Sequence, residues 1–184
     1  MKFVEFFGLP GVGKTTVKNL LKKKLISEKV RVYDYKNIIL KFSEKTIKLS
    51  TKEKLALKYF KFIKSQRVKK LKTNLKKTKK AEKGKKYKSY FTVLGSFHAI
   101  YRKICFNIFK KFKKENKEFV NYVINTINNS TFSNKQKLLM NNWFIEDCSA
   151  IYLAKKNRDK IDLILDSEGF IHRSMLYFCN EKTN

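Results

Sequence analysis

Three glycines, a lysine and a threonine lie near the amino terminus in the order that a phosphate-binding loop requires. Residues 8–15 read Gly-Leu-Pro-Gly-Val-Gly-Lys-Thr and fit the pattern G-x-x-x-x-G-K-[ST]. Glycine tolerates the backbone conformations in which successive N–H groups point at one phosphate, and the positive end of the following helix adds to the attraction. The sequence therefore predicts binding of a nucleoside triphosphate.

Each residue type in this loop has its own expected task. Lys14 is expected to reach the β- and γ-phosphates, and the Thr15 hydroxyl to ligate Mg²⁺. The expected cofactors are therefore ATP and Mg²⁺. The residues expected to bind them are Gly8, Pro10, Gly11, Val12, Gly13, Lys14, Thr15 and Thr16.

A second candidate motif follows an apolar run, Ile161 to Leu165, near the end of the sequence. In P-loop proteins a strand beside the first one ends in an aspartate that holds the Mg²⁺ shell, and Asp166 is the candidate. Glu168 is a candidate base or acceptor ligand, with capping of the following helix as the equal alternative. Arg173 is a candidate for binding a phosphate, with an ordinary solvated helix arginine as its alternative.

The elements around the loop predict a parallel sheet. Lys2 to Phe7 has the pattern of a buried strand, Lys14 to about Lys29 that of an amphipathic helix, and Val30 to Asp34 that of a second strand. A strand, helix and strand in this order form a βαβ unit, whose strands are parallel. Because ligands bind at the carboxyl ends of such strands, Asp34 is a further candidate for contact with an acceptor.

The remaining sequence is expected to be mainly helical between residues 36 and 160, and Ser133 is a candidate cap at the start of one of these helices. It includes a lysine-rich segment, residues 61–90, with 14 basic residues and one acid. The expected fold is therefore α/β: one P-loop domain over residues 1–184, with a three-stranded parallel sheet in the strand order 2-3-1 and a large helical insertion between the second and third strands. Within the insertion, Lys79 to Lys88 is nearly free of apolar residues and is expected to be a weakly ordered loop.

The composition limits the class of protein further. A formal charge of +29 favours polyanionic partners, although the abundance of Lys, Asn, Ile, Phe and Tyr is also typical of an AT-rich genome. The three cysteines are scattered, so they predict neither a disulfide framework nor a zinc site. The sequence has neither a signal-peptide pattern nor an apolar run long enough to span a membrane, so a cytoplasmic protein is expected.

The two motifs together resemble those of a known group of enzymes. The segment Phe3-Val-Glu-Phe-Phe-Gly-Leu-Pro-Gly-Val-Gly-Lys-Thr-Thr16 resembles the start of the P-loop nucleoside and nucleotide kinases. Within that group it is most similar to the thymidylate-kinase-like proteins encoded among bacterial surface-polysaccharide genes. Leu165-Asp-Ser-Glu-Gly-Phe-Ile-His-Arg173 is similar to their later acidic segment.

The resemblance implies a phosphotransferase that acts on a nucleoside, nucleotide or sugar. It implies that Lys14 and Thr15 bind phosphate and Mg²⁺, and that Asp166, Glu168 and Arg173 surround the acceptor. The chain departs from the family after Gly169, because 15 residues leave no room for the later strands and the lid arginines. A truncated or degenerate member, a fragment and a form completed by a partner are therefore all expected alternatives.

Two other functions remain open at this point. Residues 166–169 fit the D-x-x-G pattern of a GTPase-like protein, but a guanine-reading N-K-x-D motif does not occur in the sequence. A non-catalytic basic protein that binds nucleic acid or an anionic membrane would explain the lysines of residues 61–90. The sequence contains no recognisable motif for nucleic-acid binding, which counts against that alternative.

Overall fold

The computed structural model describes residues 1–6, 12–55, 58–59, 85–166, 169, 171, 173 and 174; for residues 85–97 it describes the backbone only. The strands are β1 (Lys2–Glu5), β2 (Val32–Tyr33) and β3 (Leu163–Asp166). The helices are α1 (Lys14–Ser27), α2 (Tyr35–Thr46), α3 (Lys85–Glu115), α4 (Lys117–Asn129) and α5 (Asn134–Lys156), and a short 3₁₀ helix covers Arg158–Lys160. The mixed α/β class is confirmed, and most of the described residues are helical.

The sheet is parallel and has the order β1-β3-β2. Glu5 is in register with Asp166, so the ends of β1 and β3 lie side by side. A parallel sheet of three strands, with the third between the other two, is what the sequence predicts. β2 is shorter than the predicted Val30 to Asp34, because Asp34 already caps α2 by accepting a hydrogen bond from the Asn37 amide at 2.8 Å.

The prediction that β1 is a buried strand is wrong. Val4 retains 41% of its exposure, and Lys2 and Phe3 are exposed as well. β1 pairs with β3 on one side, and on its other side no strand of the described chain pairs with it. An edge strand with one neighbour has less surface around it to cover its side chains.

The amphipathic pattern of α1 also fails to predict its burial. None of the fourteen residues of α1 is buried, and Leu20 retains 60% of its exposure. Leu21 and Leu25 are half-buried, whereas Val17 is exposed like Leu20. The main contacts of α1 within the described chain are with β2 and β3, so its apolar face is covered only in part.

The core instead lies among the helices on the other side of the sheet. One apolar cluster joins α2, α3 and α5 to β3, and a second joins α3, α4 and α5. At the start of α5 the Ser133 hydroxyl and the Gln136 side chain form a reciprocal capping box, as Ser133 was expected to begin this helix. The predicted helical region is therefore confirmed where the structure describes it.

Three sequence predictions fall wholly or partly outside the described residues. These are the loop glycines Gly8 and Gly11 with Pro10, the residue Glu168, and most of the lysine-rich segment 61–90. The expectation of a loop over Lys79 to Lys88 is wrong for residues 85–88, whose backbone is helical at the start of α3. Cys105 and Cys148 are free and buried, as small apolar residues would be.

Candidate functional site

The described part of the phosphate-binding motif is the turn that leads into α1. Gly13 has a φ of +84°, in the left-handed region that glycine adopts without strain, and Lys14 is the first helical residue. The carbonyl of Gly13 accepts the first helical hydrogen bond, from the Val17 amide at 3.0 Å. Unlike α2 and α5, α1 has no side-chain cap from the described residues. Its first N–H groups can therefore face an anion.

Two lysines on α1 are bound to acids at the carboxyl ends of the neighbouring strands. Lys18 Nζ lies 3.7 Å from Asp166 Oδ1 at the end of β3, and Lys22 Nζ lies 3.2 Å from Asp34 Oδ2 after β2. Lys14, Lys18 and Lys22 are spaced by four residues, so they share one helix face. The lysine of the motif therefore begins a basic stripe that runs along the end of the sheet.

Asp166 is held from three directions. Its backbone pairs with β1, since the Phe6 amide donates to the Asp166 carbonyl at 3.0 Å. Its carboxylate accepts from the Tyr35 amide at 3.2 Å and faces Lys18. The carboxylate is thus fixed at the end of β3, on the same edge of the sheet as the turn into α1.

Glu5, at the end of β1, connects this edge to the segment after β3. It accepts hydrogen bonds from the Gly169 amide at 2.9 Å and the Ile171 amide at 3.1 Å. A Cβ atom at position 169 would lie 3.0 Å from Glu5 Oε2, so the close approach favours glycine there. Glu5 was not among the sequence candidates, because its partners lie 164 and 166 residues away.

Arg173 lies against α5. Its Nη1 donates to Asp147 Oδ1 at 2.7 Å, and its guanidinium carbon lies 5.3 Å from the centre of the Trp143 ring. Arg173 therefore has a carboxylate on one side and an aromatic ring on another, both from the same helix. The alternative of a solvated helix arginine is wrong, since the Arg173 side chain retains 19% of its exposure.

Asp147 is an ionisable residue in the interior of the protein. Its side chain is fully buried, and that burial raises its pKa to about 8 despite the opposing effect of Arg173. The negative charges of Glu146, Asp166 and Glu5 raise the pKa further. Asp147 was missed in the sequence, although it follows Phe144 by three residues and so falls on the apolar face of the helix.

A cavity of about 430 Å³ opens between α2, α3 and α5, next to this group. Lys36, Arg102 and Lys103 contribute positive charge to its lining, and Phe106 and Trp143 contribute aromatic surface. The cavity is therefore suited to a small ligand that combines a ring with an anionic group. Trp143 contacts Arg173 as well, so the cavity borders the residue pair that Arg173 forms with Asp147.

One acid in the cavity lining is held in place by a tyrosine. The Tyr101 hydroxyl donates to Glu146 Oε1 at 2.9 Å. Burial raises the pKa of Tyr101 well above its usual range, and the nearby negative charge adds to that effect. Tyr101 therefore stays a neutral hydrogen-bond donor, and Glu146 can accept hydrogen bonds from a bound hydroxyl or amino group.

Over the described residues, no group of three or more His, Cys, Asp or Glu side chains is arranged to hold a metal ion by itself. The described helices include none that could cross a membrane. The chain matches no protein-family model, no curated protein and no solved structure at a significant level.

Proposed function

We propose that this protein binds Mg²⁺-ATP through residues 8–15 and transfers a phosphate group to a small acceptor. The observation that carries the proposal is the glycine, lysine and threonine pattern at the start of α1, next to the carboxylate of Asp166. Gly13 adopts a left-handed conformation there, and α1 begins without a side-chain cap from the described residues. Backbone N–H groups at such a helix start bind phosphate.

The residues present are compatible with Mg²⁺ in a nucleotide complex. Mg²⁺ usually takes one or two protein ligands, and phosphate oxygens and water complete its shell. Thr15 and Asp166 would be those ligands, so a larger cluster of acids is not needed. The ion would neutralise charge that develops on the phosphates during transfer.

The acceptor would occupy the cavity between α2, α3 and α5. Its positive residues would attract a phosphate or carboxylate, and Phe106 and Trp143 would contact a ring. Of the expected acceptors, a nucleotide or a phosphorylated sugar has both features, whereas an unmodified nucleoside or sugar supplies only the ring. Glu146 would bind a hydroxyl or amino group of the acceptor.

The decisive measurement compares ATP binding by the wild-type protein and by Lys14→Ala. Loss of the lysine should weaken binding on the order of tenfold to a hundredfold, the usual effect of removing a hydrogen bond to a charged group. Lys23→Ala is the matched control, since Lys23 is exposed on the same helix. Equal affinity of wild type and Lys14→Ala would refute the proposal.

Turnover of ATP with a panel of nucleosides, nucleotides and sugars then tests the transfer step. A strong preference for GTP would support the GTPase-like alternative. Binding to DNA or anionic vesicles that falls steeply with salt, without turnover, would support the non-catalytic alternative.

A further inference from the structure

A buried carboxyl group in α5 is not accounted for by the packing around it. Asp147 has no exposed surface, and its Oδ1 atom accepts from Arg173 at 2.7 Å. Its Oδ2 atom is buried and makes no hydrogen bond with any residue that the structure describes. A buried polar atom in this state lowers the stability of the fold.

An apolar residue at position 147 would be expected to make the fold more stable than the aspartate does. Phe144 and Cys148, on the same face of α5, are fully buried and apolar. A buried ion pair is often no more stabilising than a well-packed apolar pair, so stability is a weak explanation for Asp147. A local departure from good packing next to a candidate site is typical of residues that serve function.

The partner of Asp147 is held in a defined place. Arg173 is fixed by Asp147 on one side and by the Trp143 ring on another. It follows β3 by seven positions, and Glu5 holds the amides of Gly169 and Ile171 just before it. The guanidinium has five N–H donors, and Asp147 takes up only part of that set.

We propose that Asp147 is a positioning residue: it presents Arg173, across the Trp143 ring, to a phosphate group bound beside Asp166. This inference rests on the proposed function, because the phosphate would come from ATP or from the acceptor. Arginine binds phosphate well when its planar group is already oriented. Asp147 thus acts on the phosphate through Arg173 and does not touch it.

Trp143 offers a direct readout, because it is the only tryptophan in the chain. In the free protein, Asp147→Ala should shift the emission of Trp143 as Arg173→Ala does, since both remove the guanidinium from the ring. The double variant should shift it no further. Asp147→Asn keeps the shape and one acceptor oxygen, so it should give a smaller shift and serves if the alanine variant does not fold. Wild-type emission in both Asp147 variants would overturn the proposal.

Kinetics separate a positioning role from a merely structural one. With Mg²⁺-ATP and the acceptor panel, Asp147→Ala should lower kcat on the order of 10-fold to 100-fold. KM for ATP should change less than about twofold, since ATP is bound mainly by the loop and Lys14. In the Arg173→Ala background the same change should have no further effect. Additive losses, or a raised KM with unchanged kcat, would contradict the proposal.

Two further measurements complete the design. The control variant is Asp159→Ala. It removes an exposed acid from the short 3₁₀ helix before β3, at the opposite end of that strand from Asp166, and it should leave kcat unchanged. Titration with Mg²⁺-ATP and with pyrophosphate, followed by Trp143 emission, should give a response that depends on Arg173 and weakens in Asp147→Ala. A change of Trp143 emission without ATP turnover would support the positioning role and reject phosphate transfer. Turnover that is insensitive to Asp147→Ala would support phosphate transfer and reject the positioning role. If neither the change of emission nor turnover is observed, both claims are rejected.

Discussion

The elements α1 and β1 differ from α2 and β3 in how far their apolar residues are covered. In α2, six of the twelve residues are buried, and Ile164 and Leu165 of β3 are buried as well. In α1 none of the fourteen residues is buried, and Val4 of β1 remains exposed. The two helices are similar in length, but α2 packs against α3 and α5, whereas the main contacts of α1 within the described chain are with β2 and β3. The difference in burial therefore follows the number of neighbours that each helix has.

The difference shows how the elements on either side of the proposed nucleotide-binding loop are attached. β1 is joined to β3 by backbone pairing, and Glu5 adds a contact with the backbone of Gly169. α1 is joined to the sheet through Lys18 with Asp166 and Lys22 with Asp34. The cavity that would hold the acceptor lies among the packed helices instead. Elements with few buried apolar contacts open locally at low free energy, so we expect α1 and β1 to exchange their amide hydrogens before α2 and α5 do.

The largest effect on stability is expected at a buried leucine of the helical core. Leu153 in α5 has no exposed surface and lies in the core cluster of α2, α3 and α5. Leu153→Ala should lower the free energy of unfolding by about 2–5 kcal/mol, because it removes buried apolar atoms and leaves a cavity. Urea unfolding measures the loss. A decrease of less than about 1 kcal/mol in the free energy of unfolding would show that this cluster is not the stable core.

The pH dependence of stability tests the buried acid of α5. The pKa of Asp147 is about 8 in the folded protein, against an ordinary value of 3.8. Between these values the folded protein holds a proton that the unfolded chain has released. The free energy of unfolding should therefore fall as pH rises from about 4 to about 8, by at most about 1.4 kcal/mol per pH unit from this group, and level off above.

The control for this pH series is Asp147→Asn, which cannot titrate and should show a flatter profile. Arg173 opposes the shift, whereas Glu146, Asp166 and Glu5 add to it. Urea unfolding at a series of pH values measures both proteins. Parallel profiles for the two proteins would count against a raised pKa at Asp147.

The smallest effect on stability is expected at an exposed leucine of α1. Leu20 in α1 retains 60% of its exposure. Leu20→Ala makes the same chemical change as Leu153→Ala, but it should alter the free energy of unfolding by no more than about 0.5 kcal/mol, because little apolar surface is lost from the interior. A loss similar to that of Leu153→Ala would show that α1 is covered in solution, and α1 would then not differ from the packed helices in burial.

Much of the local structure was predictable. Alternation and glycine placement indicated β1, α1 and β2 in order, and the apolar run before Asp166 indicated β3. The βαβ unit required parallel strands, and β3 does lie between β1 and β2. Ser133 was recognised as the start of α5 because helix caps depend on residues close in sequence. The binding of Mg²⁺-ATP, the identity of the acceptor and the transfer of phosphate stay predictions.

Other features of the site were not predictable from local patterns. Glu5 and Gly169 are 164 residues apart, and Asp147 and Arg173 are 26 apart. Short-range periodicity carries no information about which distant acid meets which donor. The Asp147 position did carry a weak signal, namely an acid on the apolar face of α5, since a charge there must be paired or neutral when buried.

The sequence by itself determined the residue types that we propose to bind phosphate, the kind and order of the secondary elements, and the parallel sheet. These properties depend on neighbouring residues and on the backbone conformations they allow. Only the tertiary structure decided that the apolar faces of β1 and α1 are covered no more than in part, and that Arg173 is held by a buried aspartate. Burial and pairing depend on which surfaces meet in space, and an apolar stripe does not reveal whether a neighbour covers it.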